Sequence, residues 1–519
     1  MSILSALPLV RVAEIKVQSA PETAVTFTSL AALVPAGTRH LVIEVNAAQT
    51  YTERRFCEVI LNGDTASHYN RREFTASGTA ITTVSTTNTN IAQGVDVPPA
   101  SAGYGGGYLL FPYAFRTDNL KLWQSMGSSL ETRLQRHSGA WESTAALDSI
   151  ALRPWQNVPG GVNQWAIGSI VTLYAVDETR LAADRLPDEK SKKFTFGSLP
   201  ADANHLVLMM QMRSSQNLAT RQGDRVYQQL NNDTSSANYP IQRLGGESIA
   251  DNNIIDEAFN EKRVGWSTAA AAPADSFGNL VVMYPEYRNT VFHKPWISQH
   301  AAFEEVFYPV SQENGRRRNT EALNHLHYFP GMGGESFLPG SIISAYKTEA
   351  PAARHVVSAS GEASVTLQVP AGAVGLRAVA VARTNASGTE DRLLIELNGD
   401  ASAANYAIRR ASGMDRTHET VLQSDNEIGV IPGGGAEAGQ FGCGALSIIR
   451  HADTDRHKHM LSLIGASGGR LDVYGGRLAL YGGRWKNNAA VTSVTFKPKN
   501  GTLFAAGSVF ELVVADDAL

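Results

Sequence analysis

The sequence predicts an all-β protein built from three tandem jelly-roll-like β-sandwich modules. The first observation that supports this prediction is an internal repeat. Residues 54–72, 224–243 and 391–410 have closely similar sequences. The copies are 169 and 167 residues apart, measured between their anchor leucines, Leu61, Leu230 and Leu397. That is the size of a whole domain, whereas solenoid units span roughly 20–50 residues. Residues that recur in all copies are expected to be scaffold, and residues that occur once are candidates for function.

The second observation is that four further landmarks accompany the repeat in one fixed order. Each copy has a proline-led entry into an apolar run, at Pro35, Pro200 and Pro370. An apolar run with a Gly-rich or turn-rich lead, followed by a basic or polar stretch, comes later at 107–123, 278–296 and 444–460, and a further segment recurs at 144–154, 320–330 and 488–498. Each copy closes on a Gly-Ser pair before an apolar strand, at Gly168, Gly340 and Gly507. These landmarks indicate modules at residues 1–180, 181–349 and 350–519, with charged linkers near 178–192 and 347–355.

The third observation is that the apolar segments are short, rich in β-branched and aromatic residues, and separated by turn residues. The landmarks predict about eight strands per module, which suits a two-sheet jelly roll. Asn62-Gly63 and Asn398-Gly399 follow strands and predict type I′ hairpins, and Asn231-Asn232 is compatible because asparagine tolerates the left-handed region. The best candidate helix is Asp118–Arg133.

Composition excludes several classes of protein. The net charge is −4, without the basic patch that nucleic-acid binding requires. Cys57 and Cys443 lie in apolar runs of different modules, which predicts buried free thiols and excludes a disulfide scaffold. No apolar run approaches the roughly 20 residues of a membrane span, and the first residues lack the pattern of a secretory signal. We therefore expect no membrane insertion.

Two residue types recur in all three repeats and admit two interpretations. Asp64, Asp233 and Asp400 could be metal or sugar ligands, but aspartate after a turn pair more often caps the turn through its side chain. Tyr69, Tyr239 and Tyr406 could stack on sugar rings, but repetition favours packing across the sheets with the hydroxyl bonded at the rim. Both sets are predicted to be structural.

The residues that occur once offer few sites. His451, Asp453, Asp455, His457 and His459 form the densest cluster of potential ligands. His457 and His459 would share one face of a strand, a usable geometry for Zn²⁺, but a solvated strand edge rich in charge is the favoured interpretation. Gly103–Gly107 and Gly433–Gly435 are predicted to be flexible loops, and Arg316–Arg318 a solvated turn.

Catalysis has no recognisable signature in the chain. Glycoside hydrolysis needs two carboxylates at a set separation, and no pair stands out. A nucleophile elbow is also missing from the sequence. We therefore predict no catalytic, metal or cofactor-binding residues and no enzymatic activity.

The motif LNGDxxxxxNY with a closing Gly-Ser strand resembles the jelly-roll modules of tailed-bacteriophage virion proteins of tail, baseplate, fibre and head-decoration type. The residues that carry the resemblance are Leu61, Asn62, Gly63, Asp64 and Tyr69, then Leu230, Asn231, Asp233, Asn238 and Tyr239, then Leu397, Asn398, Gly399, Asp400, Asn405 and Tyr406. Two departures from the pattern are His68 in place of asparagine in copy one and Val513 in place of the closing tyrosines Tyr174 and Tyr346. The resemblance covers most of each module and marks a fold more than a role.

The resemblance implies a virion structural protein, assembled in the host cytoplasm and incorporated with other virion proteins. The favoured role is a tail fibre, spike or baseplate component that attaches to host-surface polysaccharide. The alternative is a head-decoration or cement protein, and the third candidate is a polysaccharide depolymerase. We expect a homo-oligomer, with a trimer favoured, because a chain with only 18% charged residues should have sheet faces covered by partners.

Recognition is expected in loops that differ among modules. Module three offers Gly413–Gly439 and His451–His459. We therefore expect that deleting residues 350–519 abolishes adsorption while modules one and two still assemble.

Overall fold

The computed structural model describes residues 7–78, 80–90, 92–129, 133–156, 162–185, 190–217, 223–246, 254–273, 275–302, 310–331, 335–348, 350–414, 417–423, 425–466 and 477–517. Within them the regular secondary structure is nearly all strand, which confirms the predicted all-β, jelly-roll-like sandwich fold. The helical elements are α1, Leu30–Leu33, and 3-10 turns at Ala100–Ala102, Glu178–Arg180, Ser236–Asn238 and Ala403–Asn405. No helix in the described ranges has the length and apolarity to cross a membrane.

Three sets of twelve strands follow one another along the described chain. Module one contains β1 Leu9–Lys16, β2 Val25–Phe27, β3 Leu41–Ala47, β4 Arg55–Leu61, β5 Tyr69–Ser77, β6 Ala80–Thr89, β7 Ala92–Val97, β8 Gly105–Phe111, β9 Lys121–Ser129, β10 Arg133–Trp141, β11 Ile150–Pro154 and β12 Ile170–Val176. Module two contains β13 Leu181–Arg185, β14 Phe194–Gly197, β15 Leu206–Met212, β16 Gly223–Leu230, β17 Pro240–Gly246, β18 Ile254–Asn260, β19 Arg263–Thr268, β20 Gly278–Tyr284, β21 Lys294–Ala301, β22 Val310–Arg317, β23 His325–Pro330 and β24 Ile342–Lys347. Module three contains β25 Ala353–Val356, β26 Val365–Gln368, β27 Val374–Ala382, β28 Glu390–Leu397, β29 Tyr406–Met414, β30 Thr417–Gln423, β31 Glu427–Pro432, β32 Gly442–Ile449, β33 Lys458–Ala466, β34 Arg477–Trp485, β35 Ser493–Pro498 and β36 Val509–Asp517.

Each module is a jelly roll with four additional strands. In module one the small sheet has the order β2-β11-β4-β7, and β1-β12-β3-β8 begins the large sheet. Together these are the eight strands of two interlocked Greek keys. The hairpins β9–β10 and β5–β6 then extend the large sheet to eight strands. The predicted number of about eight strands per module was therefore too low, since it left out the extension.

The helix predicted at Asp118–Arg133 is wrong. Lys121–Ser129 forms β9, a central strand of the large sheet, although residues 130–132 lie outside the described part. The two predicted linkers also contain strands, because β13 pairs with β24 and β25 pairs with β36. Residues 186–189 of the first linker and residue 349 of the second lie outside the described residues.

Both faces of each large sheet are buried. In β3, Leu41, Ile43 and Val45 point into the core of module one, while Val42 points into a second core on the opposite face. In β15, Val207 and Met209 join that same second core. Near-continuous apolar strands of this kind are typical of sheets covered on both sides.

The second core is shared by all three modules and is called the shared core below. The additional strands supply much of it. Its members on those strands are Phe74, Ala76, Ile81, Met126 and Leu134 in module one, Leu244, Ile297, Ala301 and Val310 in module two, and Ala411, Leu461, Leu463, Leu478 and Leu480 in module three. The extension of each large sheet therefore holds the modules together.

The modules close into a ring. Parallel pairing of β1 with β36 joins the first module to the third at Val10–Asp516 and Arg11–Asp517. The apolar faces from which an oligomer was predicted are thus covered within one chain, and the trimer stays a prediction without that support. The expectation that modules one and two assemble without residues 350–519 conflicts with the shared core, because the deletion would expose it to water.

Candidate functional site

The recurring aspartates and tyrosines build one corner in three copies. Asp400 accepts hydrogen bonds from the Ser402 backbone N–H (3.0 Å) and from the Trp485 indole N–H (2.7 Å). The Tyr406 hydroxyl donates to the Asp400 carbonyl and accepts from the Leu397 N–H, at 3.0 and 2.9 Å. The same pattern holds at Asp64 with Tyr69 and at Asp233 with Tyr239, except that Arg317 replaces the tryptophan beside Asp233. These side chains have structural partners, as the turn-capping and packing interpretations predict.

The hairpin predicted at these corners is wrong in its connectivity. Asn398 and Gly399 have positive φ (54° and 71°), as a type I′ turn needs. However, β28 pairs with β31 and β35, and β29 pairs with β30 and β34 in the other sheet. The turn therefore carries the chain from the small sheet to the large one. The Asn398 amide fixes this corner by accepting from the N–H groups of Thr492 and Ser493.

The histidine cluster does not assemble as a metal site. His459 is buried within β33, a central strand, so the solvated-edge interpretation is wrong as well. Burial lowers the pKa of His459 to about 3 and that of His451 to about 4. Asp453 and Asp455 form ion pairs with Arg456. Among the described residues, the one group with metal-ligand spacing is His205, Glu286 and Glu511.

Two other predictions from isolated runs are corrected. Arg316 and Arg317 are buried in β22, and Arg316 pairs with Glu437 of module three at 2.6 Å, so the run is not a solvated turn. The run Gly103–Gly107 leads into β8, where a Cβ on Gly106 would lie 1.9 Å from the Val45 carbonyl oxygen. Close strand packing, and not loop flexibility, requires these glycines.

A buried lysine recurs in all three modules and was missed from the sequence. Lys121, Lys294 and Lys458 begin β9, β21 and β33, and burial lowers the pKa of each to about 8. Lys458 donates to the carbonyls of Asp453, Arg456 and Asn488, at 2.5, 2.8 and 3.1 Å. The signal was present, since the lysine stands two residues before the end of each of the landmarks 107–123, 278–296 and 444–460.

The junction of modules one and two is a chain of neutral and charged hydrogen bonds. The His40 Nδ1 accepts from the Tyr113 backbone N–H at 3.1 Å, and its Nε2 lies 3.0 Å from the Tyr346 hydroxyl. That hydroxyl donates to Glu178 at 3.0 Å, and Glu178 also accepts from the Arg39 backbone N–H. Burial holds the pKa of His40 well below its usual value, so the ring is neutral.

The junction of modules two and three has the same geometry, but charged groups take part in more of its hydrogen bonds. The His205 Nδ1 accepts from the Glu286 N–H at 3.0 Å, and its Nε2 lies 2.5 Å from Glu511. Arg354 donates to both Glu286 and Glu511. Burial alone would lower the pKa of His205, but the negative charge of Glu511 raises it. The two carboxylates of this potential metal site therefore already share a guanidinium, which supplies the positive charge.

The junction of modules three and one lacks the histidine. Gly375 stands five residues after Pro370, where His40 and His205 follow Pro35 and Pro200. Here Arg450 pairs with Glu14 at 2.7 Å. Tyr113, Glu286 and Arg450 occupy equivalent positions after β8, β20 and β32, all with positive φ. The same backbone geometry thus carries a tyrosine, a glutamate or an arginine, depending on the junction.

The side chains on the outward faces of the small sheets differ among the modules even more than those at the junctions. One cross-strand pair stands at the same register in each module: Glu58–Arg153, Tyr227–Phe329 and Leu394–Lys497. In module one Arg153 and Glu58 form an ion pair beside the Phe56–Trp155 ring pair. In module three the face is covered by ion pairs of Lys497 with Glu396 and of Lys499 with Asp425 and Glu427.

Module two instead has an open cleft of about 540 Å³, called the module-two cleft below. The rings of Tyr227 and Phe329 line it with centroids 5.8 Å apart. Arg225 donates to Glu261 at 2.9 Å, and the Tyr227 hydroxyl donates to the same oxygen. Lys262 lies over the Phe329 ring, 5.6 Å from its centroid. This face has the strongest features of a binding site in the described chain.

A second open cleft, of about 560 Å³, lies at the junction of modules one and two. Its charged residues are already paired: Arg39 with Asp184 at 2.6 Å, and Arg116 with Asp118. The Arg39–Asp184 pair ties the two modules together, and Arg116 also donates to the Gly340 carbonyl of module two at 3.1 Å, which gives these residues a structural role.

Comparisons with known proteins give only weak structural similarity. No protein-family model and no curated protein matches the sequence. Among solved structures, the LG1-3 region of the laminin alpha2 chain is similar at 11% identity and a TM-score of 0.15, covering 95% of each chain. An archaeal virus turret protein with a triple jelly roll fold has 7% identity and a TM-score of 0.15, covering 98% of this chain and 90% of that one. A chain of the lipid-containing bacteriophage PM2 has 7% identity and a TM-score of 0.10, covering 96% and 94%. At these scores the neighbours carry no argument about function.

Proposed function

We propose that this chain is a non-enzymatic structural protein of a bacteriophage virion, acting as a tail fibre, spike or baseplate component that attaches to host-surface polysaccharide. The observation that carries the proposal is the division of the molecule into a common interior and module-specific outer faces. The shared core joins three jelly rolls into one body. The outward small-sheet faces then present different chemistry at equivalent positions.

Attachment fits this division because a rigid body can hold weak binding sites at fixed positions, and several copies per particle multiply their affinity. The module-two cleft supports the proposal through its aromatic and charged lining. Among the described residues, Glu261 is the one carboxylate that lines it, whereas glycoside hydrolysis uses two. A depolymerase is therefore the third candidate.

A head-decoration or cement protein is the second candidate, and the closed ring favours it. A body whose apolar faces are already buried can bind to a lattice without rearrangement, which suits a cement role. The trimer predicted from the sequence belongs to this proposal as an unproven feature of the assembled state.

Localising the protein on the particle tests the proposal. Gold-labelled antibodies raised against the purified chain are expected to bind the tail or baseplate of intact virions, and Fab fragments are expected to reduce adsorption. Label confined to the head would replace attachment by the cement role. Absence of the protein from purified virions would overturn both.

A further inference from the structure

We propose that the module-two cleft binds an acidic saccharide, with a uronic-acid type of sugar ring packed on Phe329 and its carboxylate paired with Lys262. This inference gives the proposed attachment function a place and a ligand class. It also differs from the sequence-based expectation, which placed recognition in the loops of module three.

The aromatic part of the cleft suits the apolar face of a sugar ring. Tyr227 and Phe329 are half-buried, so part of each ring is available to a ligand. The two rings are inclined at 46° to each other and form a shallow, angled wall. The cleft volume of about 540 Å³ falls in the range of small-molecule sites, roughly 300–1,000 Å³.

A missing side chain opens the cleft. A Cβ on Gly331 would lie 2.8 Å from the Cβ of Arg225 and 3.1 Å from the Tyr227 ring. The equivalent residue after the strand is Trp155 in module one and Lys499 in module three. Trp155 packs on Phe56, and Lys499 pairs with Asp425. Glycine at this position in module two therefore lets the chain approach Arg225 and Tyr227 closely and places no side chain over them.

The polar groups determine which sugar fits. Arg225 and the Tyr227 hydroxyl both donate to Oε1 of Glu261, so the guanidinium is neutralised by that carboxylate and Glu261 keeps lone pairs for sugar hydroxyls. Lys262 donates to the backbone carbonyl of Thr234 at 3.1 Å, and the described residues give it no carboxylate partner. Among the described residues that line the cleft, Arg225 and Lys262 are cationic and Glu261 is the one carboxylate, so positive charge is in excess beside the aromatic wall. A ligand that carries a carboxylate complements that charge, and a neutral sugar does not.

Titration calorimetry on the full-length chain tests the proposal with two probes, trigalacturonate as the acidic saccharide and maltotriose as the neutral one. We expect trigalacturonate to bind at least tenfold more tightly than maltotriose, with an affinity that decreases as salt is added. Lys262→Gln should weaken trigalacturonate binding about tenfold, and Phe329→Ala should remove binding of both probes. The matched control is Lys497→Gln, which changes a lysine on the equivalent face of module three and should leave binding unchanged.

Three results would overturn the proposal. They are no binding of trigalacturonate by the wild-type chain at millimolar concentrations, equal binding of the two probes, or undiminished binding by Lys262→Gln with an unchanged unfolding temperature. Lys262 is half-exposed, so its substitution does not threaten folding. If the antibodies label the tail but trigalacturonate does not bind, this proposal fails and the proposed function stands. If trigalacturonate binds but virions lack the protein, the reverse holds.

Discussion

The shared core and the outward faces of the small sheets are built on the same three jelly rolls but follow opposite rules. In the shared core all three modules contribute apolar side chains of one kind, such as Phe74, Leu244 and Leu461. On the outward faces one register position carries an ion pair, an aromatic pair or a leucine beside a lysine. The difference indicates that the three copies agree in the apolar character of the shared core and differ in the side chains that face outward.

Removing a module is the most severe test of this comparison. Deleting residues 350–519 exposes the shared-core faces of modules one and two, so we expect the truncated chain to aggregate or remain unfolded. Expression and circular dichroism of residues 1–349 would check this. A soluble, monomeric fragment with native strand content would show that the shared core is not needed for folding.

A single substitution in the shared core should have a smaller but still large effect. Phe74 lies on β5 and is 1% exposed, so Phe74→Ala leaves a cavity between modules. We expect a loss of about 3–5 kcal/mol in the free energy of unfolding. Denaturant unfolding would measure it, with Phe329→Ala as the control on an outward face. Equal losses for the two variants would contradict the distinction between the two regions.

Acid should weaken the interior before it affects the outward faces. Burial lowers the pKa of His137 to about 4 and that of His459 to about 3, whereas an unfolded histidine titrates near about 6.5. Because the folded pKa values are depressed, stability is fully present above pH 6.5 and decreases as the pH falls toward 4. Each histidine contributes on the order of 3 kcal/mol to that loss. Unfolding midpoints that are the same at pH 7.5 and pH 4.5 would refute this.

The loss of stability on substituting a recurring lysine should increase with the number of hydrogen bonds that the lysine donates. Lys458 donates to three carbonyls and Lys121 to two, Asn119 and Thr144. Lys458→Met should therefore cost roughly 1.5–3 kcal/mol, and Lys121→Met less. Thermal unfolding of both variants checks the order. A neutral effect at both positions would mean that the buried carbonyls find other donors.

Substitutions at the Asp-Tyr corners should reduce the free energy of unfolding least. Asp400→Ala removes the acceptor for Ser402 and Trp485 at the passage between the two sheets. We expect a loss of about 0.5–2 kcal/mol, similar to other short polar caps, with saccharide binding unchanged. Altered binding in a variant with native stability would assign Asp400 to a ligand site.

The sequence was informative where three copies agree and misleading where a pattern occurs once. The triplication, the sandwich fold and the capping role of Asp64, Asp233 and Asp400 could all be inferred from recurrence. The four additional strands could not, because β9 buries polar residues that obscure the strand pattern: Lys121 bonds to carbonyls of its own module, and Gln124 donates to Asn279 of module two. An Asn-Gly turn also does not show which strands pair with each other. For this reason a turn that joins the two sheets was predicted to be a hairpin.

The candidate site was missed for a related reason. The cleft joins Tyr227 and Phe329, which lie about a hundred positions apart, and its openness depends on Gly331 having no side chain. Only the cross-strand register brings these residues together. The histidine cluster shows the reverse case. Its residues are close together in the sequence, but their side chains do not come together in space as a metal site.

The pairing of β1 with β36 has a consequence for how the molecule is made. Arg11 in β1 and Asp517 in β36 are 506 positions apart, so β1 is synthesised long before the strand with which it pairs. During translation, the apolar surfaces that modules one and two will share with module three have no partner. Contacts between such distant residues form slowly, and transiently exposed apolar sheets associate with other chains. High-level production of this protein therefore depends on protecting the nascent chain until β36 has been synthesised.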